Sequence, residues 1–99
     1  AKVNLVAAKI LECEPVPKSK KLLKIQLDCG DKRQVVSGIA KWYKPEDLIG
    51  KVVVIVENLK PAKLCGVESN GMILACDAGE DDVRVIFLDS DIAPGSQVR

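Results

Sequence analysis

Two lysines, Lys60 and Lys63, stand three residues apart in the run Asn58-Leu-Lys-Pro-Ala-Lys-Leu-Cys-Gly-Val-Glu-Ser-Asn-Gly-Met72. Pro61 stiffens the backbone between them, which lowers the entropy lost when both ammonium groups are held in place. Cations so spaced on a loop rim can each meet a phosphate along a nucleic-acid backbone. The same spacing also describes two solubilising lysines on an ordinary loop. The neighbouring residues are equally two-sided. Asn58 can close an Asx-turn or present its amide to RNA. Ser69, between Gly66 and Gly71, can donate to a phosphate or a ribose hydroxyl, or simply close a turn. Met72 can pack on a base or ribose, or fill the core. Arg33 and Lys41 are further candidates for a basic surface.

Several kinds of chemistry are missing. The chain has no histidine, so neither a Ser/His nor a Cys/His pair can form, and it contains no P-loop or GxGxxG pattern. We therefore expect no catalytic residues, no cofactor and no enzymatic activity from the chain itself. Four cysteines at 13, 29, 65 and 76 match no zinc spacing, which leaves reduced, mostly buried thiols or a disulfide framework. Reduced thiols in a cytoplasmic protein are the expectation, with no metal site. Glu80-Asp81-Asp82 is a conceivable divalent-ion cluster, with a solvated turn as the plainer alternative.

Charge is unevenly placed. Residues 1–44 carry ten Lys/Arg against four Asp/Glu, a balance of +6, whereas residues 45–99 carry five against ten, a balance of −5. The basic half includes Lys18, Lys20, Lys21, Lys24, Lys32, Arg33, Lys41 and Lys44. Such a field suits a polyanion approaching from one side, although a solvated lysine-rich face gives the same count. Only Trp42, Tyr43 and Phe87 are aromatic. Sequence-specific grip on a single strand normally stacks bases on several rings, so recognition of a folded RNA by backbone and shape is the better expectation.

These side chains need a scaffold, and 99 residues with 47% hydrophobic content allow one domain, residues 1–99, with one core. The expected strands are Val3 to Glu12, Leu23 to Asp28, Arg33 to Ile39, Lys51 to Glu57 and Met72 to Cys76, with a short sixth from Val83 to Leu88. Leu23-Lys-Ile-Gln-Leu-Asp28 alternates as a half-buried strand does. Pro45, the acids after it and Gly50 predict one helical turn between the third and fourth strands. Asn58 to Asn70 reads as a long connection and Asp89 to Gly95 as an irregular tail outside the barrel. Five strands with a helical turn in that place predict an all-β OB-fold barrel with a C-terminal extension. The longest apolar run, Val52 to Val56, is too short to cross a bilayer. No signal peptide is expected, and the missing initial Met fits a processed protein or an excised domain.

The run from Asn58 to Ala75, with Val35-Val-Ser-Gly-Ile-Ala40, Tyr43, Pro45 and Leu48-Ile-Gly-Lys51 before it, resembles the signature of the tRNA-binding domain family. The resemblance covers essentially the whole chain. That family includes the C-terminal domain of methionyl-tRNA synthetase, free-standing tRNA-binding proteins and a bacterial chaperone-like relative. This chain looks most like the methionyl-synthetase type, and its ending, Asp91-Ile-Ala-Pro-Gly-Ser-Gln-Val-Arg99, resembles a synthetase C-terminus. Many members carry a His-Pro pair followed by Ala-Asp-Lys-Leu after the first strand. Here Val16-Pro-Lys-Ser-Lys-Lys-Leu22 stands instead, without that His or Asp and with more positive charge. The resemblance implies a non-catalytic tRNA-binding module with Lys60 and Lys63 on its RNA face, and Asn58, Ser69, Met72, Arg33 and Lys41 stand as further candidates for it. It also implies a homodimer, formed through the apolar tail, and a preceding methionine-tRNA ligase catalytic portion. The other implied role is a free-standing tRNA-binding or chaperone-like protein-binding dimer.

Overall fold

Leu23, Ile25 and Leu27 turn inward and are fully buried, while Lys24, Gln26 and Asp28 face outward. The strict alternation of that segment thus fixes which side of the sheet meets the core. The structure, a computed structural model, describes residues 4–98; the expected strand start at Val3 and the final Arg99 lie outside them. The chain forms β1 (Leu5–Pro15), β2 (Leu23–Asp28), β3 (Lys32–Ser37), α1 (Pro45–Leu48), β4 (Val52–Val56), β5 (Ala62–Leu64) and β6 (Val67–Ser69). It continues with β7 (Met72–Ile73), β8 (Ala75–Gly79), β9 (Asp82–Val85), β10 (Phe87–Leu88) and β11 (Gln97–Val98). The main sheet runs β10-β4-β1-β2-β3, with β7 also on β4 and β11 on β1.

Every residue of β4 is buried because both of its edges and both of its faces are covered. β1 lies along one edge; β7 and then β10 share the other, at Ile55 and Val56 and at Val52 and Val53. β1 carries a bulge at Leu11, since Ile10 faces Leu27 and Glu12 faces Gln26. A bulge bends its strand and increases the twist. That bend lets β1 pair with β4 through its first half and β2 through its second.

The ring closes between β3 and the chain leading into β7, without a regular ladder. The Asn70 amide donates to the Gln34 carbonyl at 2.8 Å, and the Val36 amide donates to Ser69 Oγ at 2.9 Å. α1 plugs the barrel with the fully buried Leu48. Gly50, at φ +86°, then turns the chain into β4.

Four expectations are corrected. The connection from Asn58 to Asn70 holds a hairpin, β5–β6, turned by Cys65 and Gly66 at φ +51° and +79°. Two left-handed residues are what a two-residue hairpin turn demands. The strand expected over Met72 to Cys76 divides, because after Leu74 bonds Val54 the chain leaves β4 and forms the separate β8–β9 hairpin. It returns as β10, so the stretch Val83 to Leu88 is likewise two strands. The tail does not stay apart from the barrel. The Ala7 amide donates to the Ser96 carbonyl at 2.8 Å, the Gly95 amide donates to the Ala7 carbonyl at 2.8 Å, and β11 pairs with Leu5 and Val6. Gly95 sits where a Cβ would lie 2.8 Å from the Cys29 carbonyl oxygen, so only glycine permits this return.

Candidate nucleic-acid interface

The outer face of β2 and β3 is polar, and two loops frame it. At one end lies the β1–β2 loop with exposed Lys18, Lys20 and Lys21; at the other lies the connection from Asn58 to Asn70. OB-folds bind oligonucleotides on this face and these loops. A groove of about 550 Å³ runs between the outer side of β2–β3 and the wall formed by Leu59 and Pro61.

Lys60 and Lys63 are exposed, Lys60 between the groove-lining Leu59 and Pro61 and Lys63 within β5. Neither has an ion-pair partner among the described residues, so both ammonium groups are available to a polyanion. Lys63 is placed by the β5–β6 pairing, opposite Glu68.

Arg33 is placed differently from the sequence expectation. Its Nη1 donates to the Glu57 carbonyl at 2.7 Å and to the Asn70 carbonyl at 3.0 Å, and Nη2 lies 3.7 Å from Asp31 Oδ2. Those two carbonyls stand at the two ends of the lysine-bearing connection. One guanidinium therefore ties the loop shut at its base and holds its orientation. Gly71 shares that junction: at φ +149° a Cβ there would lie 2.9 Å from the Val56 carbonyl oxygen.

Ser69 is likewise structural. It is buried, accepts from Val36 and donates to the Gly71 carbonyl at 3.0 Å, so its hydroxyl is fully used in closing the barrel seam. Asn58 Oδ1 accepts the Asn4 amide at 2.8 Å, fastening the start of the connection to the start of the chain. Met72 is 50% exposed, so it is not core filler.

Lys41 belongs to another cluster. It pairs with Asp81, lies 5.6 Å over the Trp42 ring, and shares Asp81 with Trp42 Nε1, which donates to its carbonyl at 3.1 Å. Tyr43 Oη accepts from the Val85 amide at 3.0 Å, and the Tyr43 ring meets Phe87 edge-on. Trp42 and Tyr43 thus clasp the β8–β9 hairpin to the barrel rather than offering faces to bases. The cluster Glu80-Asp81-Asp82 forms the tip of that hairpin, with Asp81 on Lys41 and Asp82 on Arg84.

The thiols divide evenly: Cys13 and Cys29 are buried, whereas Cys65 and Cys76 are exposed, and all four are free. The expectation of mostly buried thiols is corrected at the latter two, which sit in hairpins that the sequence pattern did not reveal. Sequence reasoning also passed over Gln26, Gln34 and Asn70, which line the groove. Alternation in β2 already turned Gln26 outward, but its partner was visible only from the β2–β3 register.

A strand order of β1–β2–β3, closure onto β4 through the β7 segment, and a helical turn between β3 and β4 define an OB-fold. Residues 5–97 match the family model described as "Putative tRNA binding domain", and the chain belongs to that family. It is 57% identical over 99 residues to a methionine–tRNA ligase of Methanocaldococcus jannaschii, covering 99% of this chain and 15% of the ligase. The chain thus spans about a seventh of the length of that curated relative. A crystal structure of a MetRS related protein from Pyrococcus horikoshii superposes with a TM-score of 0.93 at 35% identity, covering 98% of this chain and 90% of that one. The chaperone CsaA of Bacillus anthracis superposes with a TM-score of 0.86 at 25% identity, covering 98% of this chain and 90% of that one.

Proposed function

We propose that the chain is a non-catalytic tRNA-binding module, one domain over residues 1–99, working as an appendage of a methionine–tRNA ligase in the cytoplasm. The observation that carries this reading is the braced loop. Arg33 ties both ends of a connection that presents Lys60 and Lys63 without ion-pair partners among the described residues, beside a polar OB-fold face. Family membership supplies the ligand class. With Trp42 and Tyr43 engaged in the β8–β9 clasp, recognition works through phosphates and the shape of a folded RNA. Within the site, Lys60 and Lys63 contact the backbone, Met72 offers an apolar contact, and Arg33, Ser69 and Asn58 act by placing the loop. Lys41 contributes field rather than contact, because Asp81 shares its charge. No helix among the described residues is long and apolar enough to cross a membrane.

Filter binding of a folded tRNA transcript tests this reading. If five or six lysines each meet a phosphate, log K should fall against log salt with a slope of about −4 to −5, and Lys60→Ala with Lys63→Ala should flatten it by nearly two. A slope unchanged in that double variant would remove both lysines from the interface.

A homodimer is part of the proposal. Ile86 and Phe87 are exposed; Phe87 lies in β10 along the outer edge of β4, and Ile86 immediately precedes it. Sedimentation at tens of micromolar should give twice the 10.7 kDa chain mass, and Phe87→Lys should return it to that mass. A species of 10.7 kDa alone for the unaltered chain would refute the dimer. The second reading, a chaperone-like protein-binding dimer, is favoured by the likeness to CsaA and by the same exposed apolar residues. It predicts suppression of aggregation of an unfolded client protein that survives loss of Lys60 and Lys63.

A further inference from the structure

We propose that the groove between β2–β3 and the Leu59–Pro61 wall takes one unpaired nucleotide of the RNA and reads its base edge with the carboxamide of Asn70. This rests on the tRNA-binding reading and adds to it a site for a single base. The groove, at about 550 Å³, falls within the roughly 300–1,000 Å³ range of small-molecule pockets.

The groups lining it are held in a definite way. Gln34 is locked at both ends: its Oε1 accepts from Gln26 Nε2 at 2.9 Å, and its Nε2 donates to the Glu68 carbonyl at 2.7 Å. That bond orients Gln26 and leaves its Oε1 open. The main chain of Asn70 is pinned twice, by its amide on the Gln34 carbonyl and by Arg33 on its own carbonyl. Its carboxamide, by contrast, has no hydrogen-bond partner among the described residues.

A half-buried amide on a fixed backbone offers one donor and one acceptor side by side, the pattern that pairs with a base edge. Leu59, 41% exposed, and Pro61 supply an apolar surface for the face of that base. The charges argue for a base inside and a phosphate outside. Arg33 spends Nη1 on two carbonyls and turns Nη2 toward Asp31, and the Asp31 carboxylate at the rim repels an anion. Exposed Lys32, with no ion-pair partner among the described residues, stands at the mouth. Bases in an A-form duplex do not present their edges this way, so the nucleotide must be unpaired.

The test is a titration of the isotope-labelled chain with adenosine 5′-monophosphate, read on side-chain amide resonances, with ribose 5-phosphate as the control. The nucleotide should shift the Asn70 and Gln26 amides, and ribose 5-phosphate at equal concentration should not. Asn70→Ala should weaken nucleotide binding at least about fivefold. Asn70→Asp, which keeps the volume and removes the donors, should do the same, with backbone spectra showing that both variants remain folded. Equal shifts from ribose 5-phosphate, or nucleotide affinity indifferent to both Asn70 variants, would overturn the proposal. Such a result beside salt-sensitive tRNA binding that depends on Lys60 and Lys63 would leave the tRNA-binding function standing.

Discussion

Arg33 and Ser69 show how a residue type that suits RNA can be claimed by the fold. A guanidinium in a basic strand reads as a phosphate ligand, yet here it bonds the carbonyls of Glu57 and Asn70. Removing it leaves two carbonyls without their charged donor, each such bond being worth roughly 1.5–3 kcal/mol. Arg33→Ala is therefore expected to lower stability by about 3–6 kcal/mol in urea unfolding. It should also weaken tRNA binding while leaving the salt slope unchanged, because no phosphate contact is lost. An altered slope would show that Arg33 meets phosphate directly. Ser69→Ala strands the Val36 amide and should destabilise by roughly 1–3 kcal/mol. Below its unfolding midpoint that variant should bind tRNA as the unaltered chain does.

Among the elements, the β5–β6 hairpin decides where the proposed contacts stand. β6 is tied to β3 at Glu68 and Ser69, but β5 is fully exposed, so the position of β5 depends on the turn that pairs it with β6. Cys65 holds φ +51°, a conformation that costs most non-glycine residues about 1–2 kcal/mol and that Asn tolerates. Cys65→Asn should hold or slightly raise the thermal midpoint, whereas Cys65→Val should lower it by about 1 kcal/mol equivalent. A β-branched residue tolerated without loss would mean that the turn does not need the left-handed pair. The β8–β9 hairpin is held by different means, through Tyr43 Oη, Trp42 Nε1 and the Lys41–Asp81 pair. These bonds draw Lys41, Trp42 and Tyr43 into structure.

On the scale of the whole molecule, the excess of Lys and Arg over residues 1–44 gathers on β2, β3 and the β1–β2 loop, while the acidic half supplies β8, β9 and the tail. The separation is incomplete in space, because the Lys41–Asp81 pair brings the tip of the acidic β8–β9 hairpin back beside Lys21. Two basic faces on one dimer would raise avidity for a ligand as large as tRNA. The core has its own pH signature. Burial, with the Glu14 carboxylate adding to it, pushes the Cys13 thiol up from an ordinary 9.0 to about 11. A thiol pKa raised by folding contributes stability fully below about pH 9 and loses it as pH climbs through 11, since the unfolded chain ionises first. Alkaline unfolding profiles should therefore fall between those values, and Cys13→Ala should flatten that part of the fall.

The order of strands β1 to β4, the helical turn at Pro45 and the family signature were legible because each depends on neighbours in sequence. Alternation in Leu23–Asp28, the unbroken Val52–Val56 and a Pro-to-Gly helical turn are local patterns. The β5–β6 hairpin was not legible, because Cys65-Gly66 lacks the usual turn pair and its register depends on the left-handed backbone of both residues. The split of Met72–Cys76, the return of the tail to β1 and the division of cations into bound and available were decided by tertiary pairing. Lys60, Lys63, Arg33 and Lys41 look alike as cations in sequence. Whether a carbonyl or a carboxylate from a distant strand lies within reach is a property of the folded barrel alone, and that alone separates the two lysines left available from the cations already engaged.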